Sequence, residues 1–168
     1  MILAFLVVII FASTMLVASY KDATTMTIPN WVSLALIAGF VVVTPFLWQG
    51  LSVFGTHILV GLTFFAVGFA MFAFGWLGGG DAKLMAATAF WWQWPDAILY
   101  VFYTTLAGGV LAAILMLGRR FIPARVLTSS WTYQMFKDQK KMPYGLALSF
   151  GALATLPQSH IFMAALGL

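Results

Sequence analysis

Between Asp22 and Asp81 the chain carries no Lys, Arg, Asp or Glu. A stretch so long and so uncharged leaves few places for its backbone. In lipid every N–H and C=O must be satisfied within the protein, which for apolar runs of about twenty residues means α-helix. The remainder of the chain agrees. Of its 168 residues 63% are hydrophobic and only 7% are charged, against roughly 25% in soluble domains. The expected class is an all-α polytopic membrane protein, one integral-membrane domain over residues 1–168. The absence of cysteine excludes disulfides, thiolate metal sites and cysteine nucleophiles. A net charge of +4 is too small and too dispersed to indicate nucleic-acid binding.

Six spans are expected. They run from Ile2 to Ser19, Trp31 to Trp48, Val53 to Leu77, Asp81 into Trp91-Trp92-Gln93-Trp94, Ala97 to Leu117, and Pro143 to Leu166. The first has no basic residue before it and no small-residue cleavage site, so it reads as a retained helix. Pro29 suits the first turn of the second. Charge orients them. Lys21 lies in the first connection, Lys83 in the third, and the other six Lys and Arg fall in the segment 119–142, while the second and fourth connections have none. The positive-inside rule puts connections one, three and five in the cytoplasm and both termini outside.

Gly78-Gly79-Gly80-Asp81-Ala82-Lys83-Leu84 interrupts the apolar pattern. If Trp91, Trp92 and Trp94 form an outer aromatic belt, Asp81 lies about 15–20 Å below it, short of the ~30 Å hydrocarbon thickness. Glycine backbone at that depth must be buried in protein or line a wet cavity, so a notch opening inward is expected. An ionisable group there is a functional candidate by default.

The chain has no Glu and four Asp. Asp96 follows Pro95 on the outer side and suits helix capping. Asp138 lies among lysines in a solvated loop. That leaves Asp22 and Asp81 as the pair able to meet on one side. Two carboxylates at close range share a proton, so one can activate water while the other donates. Spacing alone leaves two readings open, paired chemistry or polar markers of helix ends. The three glycines favour chemistry, because missing side chains let an extended peptide approach closely.

With Asp22 followed by Ile28-Pro29-Asn30, then Gly78-Gly79-Gly80-Asp81-Ala82-Lys83-Leu84, then Lys141-Met142-Pro143-Tyr144-Gly145-Leu146-Ala147, the chain resembles the prepilin peptidases. These are intramembrane aspartyl proteases with a Gly-x-Gly-Asp motif. The likeness is closest to the short form serving tight-adherence (Flp-type) pili, and it covers nearly the whole chain. Presenilin-like proteases share the bare motif but pair it with Tyr-Asp, whereas Lys21 separates Tyr20 from Asp22 here.

The resemblance implies a leader peptidase of the bacterial inner (cytoplasmic) membrane, with its active site at the cytoplasmic face. It would cut a prepilin after a glycine and before the pilin's hydrophobic helix, with no cofactor or metal. By it, Asp22 and Asp81 match the catalytic pair, and Gly78 and Gly80 the motif glycines. Gly79 and Lys83 join them as substrate-binding candidates. The larger relatives carry a cytoplasmic region with paired cysteines and many methylate the new terminus; this chain lacks both, so methyl transfer is not expected.

The alternative is a small membrane carrier, or a structural pilus-assembly subunit without catalysis, in which Asp81 is a coupling charge. His57 and His160 read as isolated interface or packing residues, and Tyr144 and Gly145 as packing beside the active face. Trp131, Tyr133, Met135 and Phe136 with their flanking bases suit the inner leaflet.

Overall fold

The computed structural model describes residues 2–121 and 142–168. Among these the chain is built of helices: α1 (Ile2–Thr25), α2 (Asn30–Val43), α3 (Leu51–Ala73), α4 (Gly79–Ala89), α5 (Trp94–Phe121), α6 (Tyr144–Thr155) and α7 (His160–Leu166). Short 3-10 turns extend α2 to Leu47 and join α6 to α7. The expected placement of Trp131, Tyr133, Met135 and Phe136 lies outside the described residues.

Four helices are long and apolar enough to cross a membrane: α1, α2 with its extension, α3 and α5. The α6–α7 pair makes a fifth if its two halves, bent by 43°, are taken together. The bend falls at Ser159, which is extended (φ −74°, ψ 147°), just after the 3-10 turn Leu156–Gln158, where Pro157 cannot supply a backbone donor to continue α6. The expected fourth span does not reach full length. α4 has 11 residues, about 16 Å at 1.5 Å per residue.

The surroundings of α4 explain how so short a helix is tolerated. Ala82, Leu84, Ala86, Ala87, Thr88 and Ala89 are all buried, so α4 lies inside the bundle with α3, α2 and α6 packed around it. Alanine at most of these positions lets the neighbouring helices approach closely, which is how helices associate in lipid. On the α3 side the approach is closer still. A Cβ on Gly61 would stand 2.5 Å from the Phe90 ring, and one on Gly68 would stand 2.9 Å from Met85.

Trp91 and Trp92 correct an expectation. Both are fully buried and do not form an interfacial belt. Phe11 of α1 meets both edge-on, with ring centroids 5.0 and 5.2 Å apart, and the Trp91 indole N–H donates to the Leu36 carbonyl at 3.1 Å. They are the plug that seats α4 against α1 and α2. Outside this centre, α5 packs chiefly on α6, α3 on α4, and α1 on α2, α6 and α7. α3 and α5 barely touch each other.

Asp96 and His160 also differ from the sequence reading. Asp96 caps its own helix, as expected, through the Gln93 amide at 3.2 Å. It also accepts the His160 amide at 3.1 Å and the His160 ring Nδ1 at 2.9 Å. His160 is therefore not isolated; it ties α7 to the start of α5. His57 is buried, its Nδ1 3.1 Å from the Phe90 carbonyl oxygen, a packing role.

Candidate functional site

Asp22 sits in the last turn of α1. The chain cannot continue that helix past the following turn, because Pro29 forces Ile28 toward extended backbone. The reversal is made by Met26, whose φ of +53° is a left-handed conformation usually left to glycine. Its amide closes the turn on the Asp22 carbonyl at 2.9 Å.

Despite its place near a helix end, Asp22 is only 5% exposed. The cause is α6. Its N-cap is Pro143, which supplies no side-chain cap, so the first amides of α6 need an acceptor from elsewhere. Asp22 Oδ2 provides it, taking the Gly145 N–H at 2.6 Å. The fit requires glycine. A Cβ at 145 would stand 2.8 Å from that oxygen, 2.9 Å from Asp22 Cβ and 2.8 Å from Ile28 Cδ1.

Asp81 is placed by the opposite kind of helix end. α4 begins after Gly78, which again has no capping side chain. Asp81, three residues on, reaches back to the Gly78 amide, half of a capping box made without a serine or threonine. A Cβ on Gly78 would stand 2.7 Å from Asp81 Oδ2, so that glycine is required by the carboxylate beside it. Asp81 Oδ1 is buried and has no hydrogen-bond partner among the described residues.

Both carboxylates line one cavity of about 520 Å³, with Met26, Thr27, Gly78 and Tyr144 among its walls. Each therefore stands at the N-terminal, positive end of a short buried helix, a setting that supports negative charge. Such a cavity can hold water and an extended peptide between two acids, the minimum for metal-free hydrolysis of an amide. Among the described residues no three His or Asp side chains come together as a metal site would need.

The other candidates are placed less uniformly. Gly78 borders the cavity, but Gly79 and Gly80 face inward: a Cβ on Gly79 would meet Phe72 at 3.2 Å and one on Gly80 would meet Ile28 at 3.2 Å. Lys83 is outside the cavity's walls, donating from Nζ to Asn30 Oδ1 at 2.9 Å and tying α4 to the start of α2. Gly145, read from the sequence only as packing beside the active face, also donates its amide to Asp22. The signal for that role was a helix start at Pro143-Tyr144 with no Ser, Thr, Asp or Asn to cap it.

The profile of the type IV leader peptidase family matches residues 9–113, which include Asp22 and the whole Gly78–Asp81 block. No match is found among curated proteins or among solved structures. The family supports a protease of a multi-pass membrane protein rather than a carrier. By the profile match over most of its length, this chain is a member of the type IV leader peptidase family.

Proposed function

We propose that the chain is an aspartyl endopeptidase that removes the leader of type IV prepilins of the Flp class, with Asp22 and Asp81 as its two catalytic acids. The observation that carries this reading is the pair itself: two carboxylates on one cavity, one of them with a buried oxygen that no group among the described residues satisfies. A buried acceptor without a partner costs about 1–3 kcal/mol, and a water or a substrate N–H donating to it at that point would remove the cost.

In the proposed reaction one aspartate is ionised and the other protonated. The ionised one takes a proton from water as the water oxygen bonds to the scissile carbonyl carbon. The protonated one gives its proton to the carbonyl oxygen. The resulting gem-diol then collapses: one hydroxyl returns its proton to the second aspartate as the C=O re-forms, the C–N bond breaks, and the amine leaves carrying the proton held by the first aspartate. No metal or cofactor enters. Gly78 leaves room at the cavity edge for the substrate backbone, while Gly79, Gly80 and Lys83 serve substrate binding by fixing where α4 starts. The whole chain would act as one peptidase domain in the bacterial inner membrane. Six crossings, with α4 as a buried partial one, would leave both termini outside and the cavity open to the cytoplasm.

Co-expression with a prepilin tests the reading, with precursor size as the measurement. Asp22→Asn and Asp81→Asn should each leave the precursor uncut while the protein stays in the membrane. Cleavage retained in either variant would sink the two-aspartate mechanism. A peptidase should also clip its substrate in detergent micelles without any gradient, which a carrier would not do.

A further inference from the structure

A second cavity of about 590 Å³ lies between α3 and α5, where those helices fail to close on each other. It is lined along α3 by Phe64, Val67 and Met71 and along α5 by Thr105, Gly109 and Ala112. Val67 is 49% and Val101 45% exposed at its mouth, so it opens sideways toward lipid. Leu77 and Tyr144 line this cleft and also the cavity holding Asp22 and Asp81. A polar chamber with two acids thus adjoins an apolar one open to the bilayer, with Leu77 and Tyr144 as their common walls.

We infer that the α3–α5 cleft receives the apolar helix of the substrate, admitted laterally from the membrane. The inference rests on the leader-peptidase reading above and extends it to how the substrate is held. A prepilin is itself divided, a polar leader followed by an apolar helix, and the two adjoining cavities repeat that division in the same order. Small residues at 105, 109 and 112 let a helix backbone come close, which is what drives association in lipid where apolarity alone does not.

The floor of the cleft distinguishes a peptide from a lipid tail. Tyr100 is 1% exposed, and its hydroxyl makes no hydrogen bond of ordinary geometry although Thr88 and Thr104 stand near. Thr104 Oγ1 is likewise buried and, among the described residues, has no hydrogen bond of ordinary geometry. Both line the cleft. Buried hydroxyls are ordinarily satisfied. A substrate helix can offer the second lone pair of a backbone carbonyl, or a polar side chain, to accept from them, and an acyl chain offers neither.

The test uses the cysteine-free full chain in membranes. First, the unmodified protein is shown to process a prepilin; if it does not, the leader-peptidase reading falls, and the substrate assigned to the cleft falls with it. Next, Gly109→Cys is made in the Asp81→Asn background so that the substrate stays uncut. A Cβ at 109 has open space around it. Leu106→Cys, exposed on α5 outside the cleft, is the control. A prepilin with one cysteine in its apolar helix should form a disulfide at 109 at least tenfold more than at 106. In the active protein, Gly109→Trp should raise KM for the prepilin about tenfold with kcat little changed, and Leu106→Trp should not. If processing occurs but crosslinking is equal at the two positions or absent at 109, the cleft is not the substrate's seat. The aspartate mechanism would then stand without it.

Discussion

Asp81 and Asp96 occupy the same local position, the first turn of a helix, each reaching back to the amide at that helix's start. They end in opposite states. Asp96 is 2% exposed and its two oxygens are filled by three donors, from Gln93 and from the backbone and ring of His160. Asp81 keeps one buried oxygen without a partner among the described residues and faces a cavity shared with a second carboxylate. The local sequence rule is identical; what differs is whether a distant helix brings donors. Asp96 meets α7 and becomes a clasp. Asp81 meets a space, and only a carboxylate left short of partners is free to exchange protons with something that enters.

The sharpest way to break the comparison is to neutralise each acid in turn. Asp22→Asn and Asp81→Asn should lower precursor processing by about 10²–10⁴-fold or more, the range of a lost acid–base group. Asp96→Asn should leave processing within a few-fold. A large loss for Asp96→Asn in a protein that still folds would erase the distinction. Gly145→Ala comes next. It pushes a methyl against Asp22 and Ile28 and displaces the carboxylate, so processing should fall about 10- to 100-fold, given how steeply catalysis depends on placement near 1 Å. Detergent-solubilised protein should keep its helical circular dichroism.

On stability the ranking reverses. Asp96→Ala removes the acceptor of three buried or half-buried bonds and should cost about 2–3 kcal/mol, read as an earlier thermal or denaturant transition, whereas Asp81→Ala should cost less. His160→Gln is the smallest change. Its side chain is 47% exposed, so losing the ring contact should shift stability by under about 1 kcal/mol and leave processing untouched.

Much of this was readable beforehand, and the reasons are physical. Long apolar runs in lipid can only be helices, and with so few acids in the chain elimination leaves Asp22 and Asp81, which do line one cavity. The burial of Trp91 and Trp92 was not readable, because tryptophan at a span end serves equally as interfacial anchor or core plug. The difference lies in Phe11, far off in sequence. Gly145 and Asp22 are 123 positions apart, and Asp96 and His160 are 64 apart; such bonds exist only once the bundle has closed. Pro157 and the polar Gln158-Ser159-His160 after it are the sequence signal of the break between α6 and α7, but the apolar segments flanking them read together as one span.

The shortness of α4 has a consequence for the membrane itself. A segment of about 16 Å cannot match a ~30 Å hydrocarbon layer, so headgroups and water must dip toward its ends or neighbouring protein must cover them. Where α2, α3 and α6 leave those ends uncovered, the mismatch is met by local thinning, at fractions of a kcal/mol per Å. Acyl-chain length then becomes a variable that tunes how easily the acids are wetted. Reconstituted in lipids of increasing chain length, the protein should work fastest in the thinner bilayers and slow as they thicken.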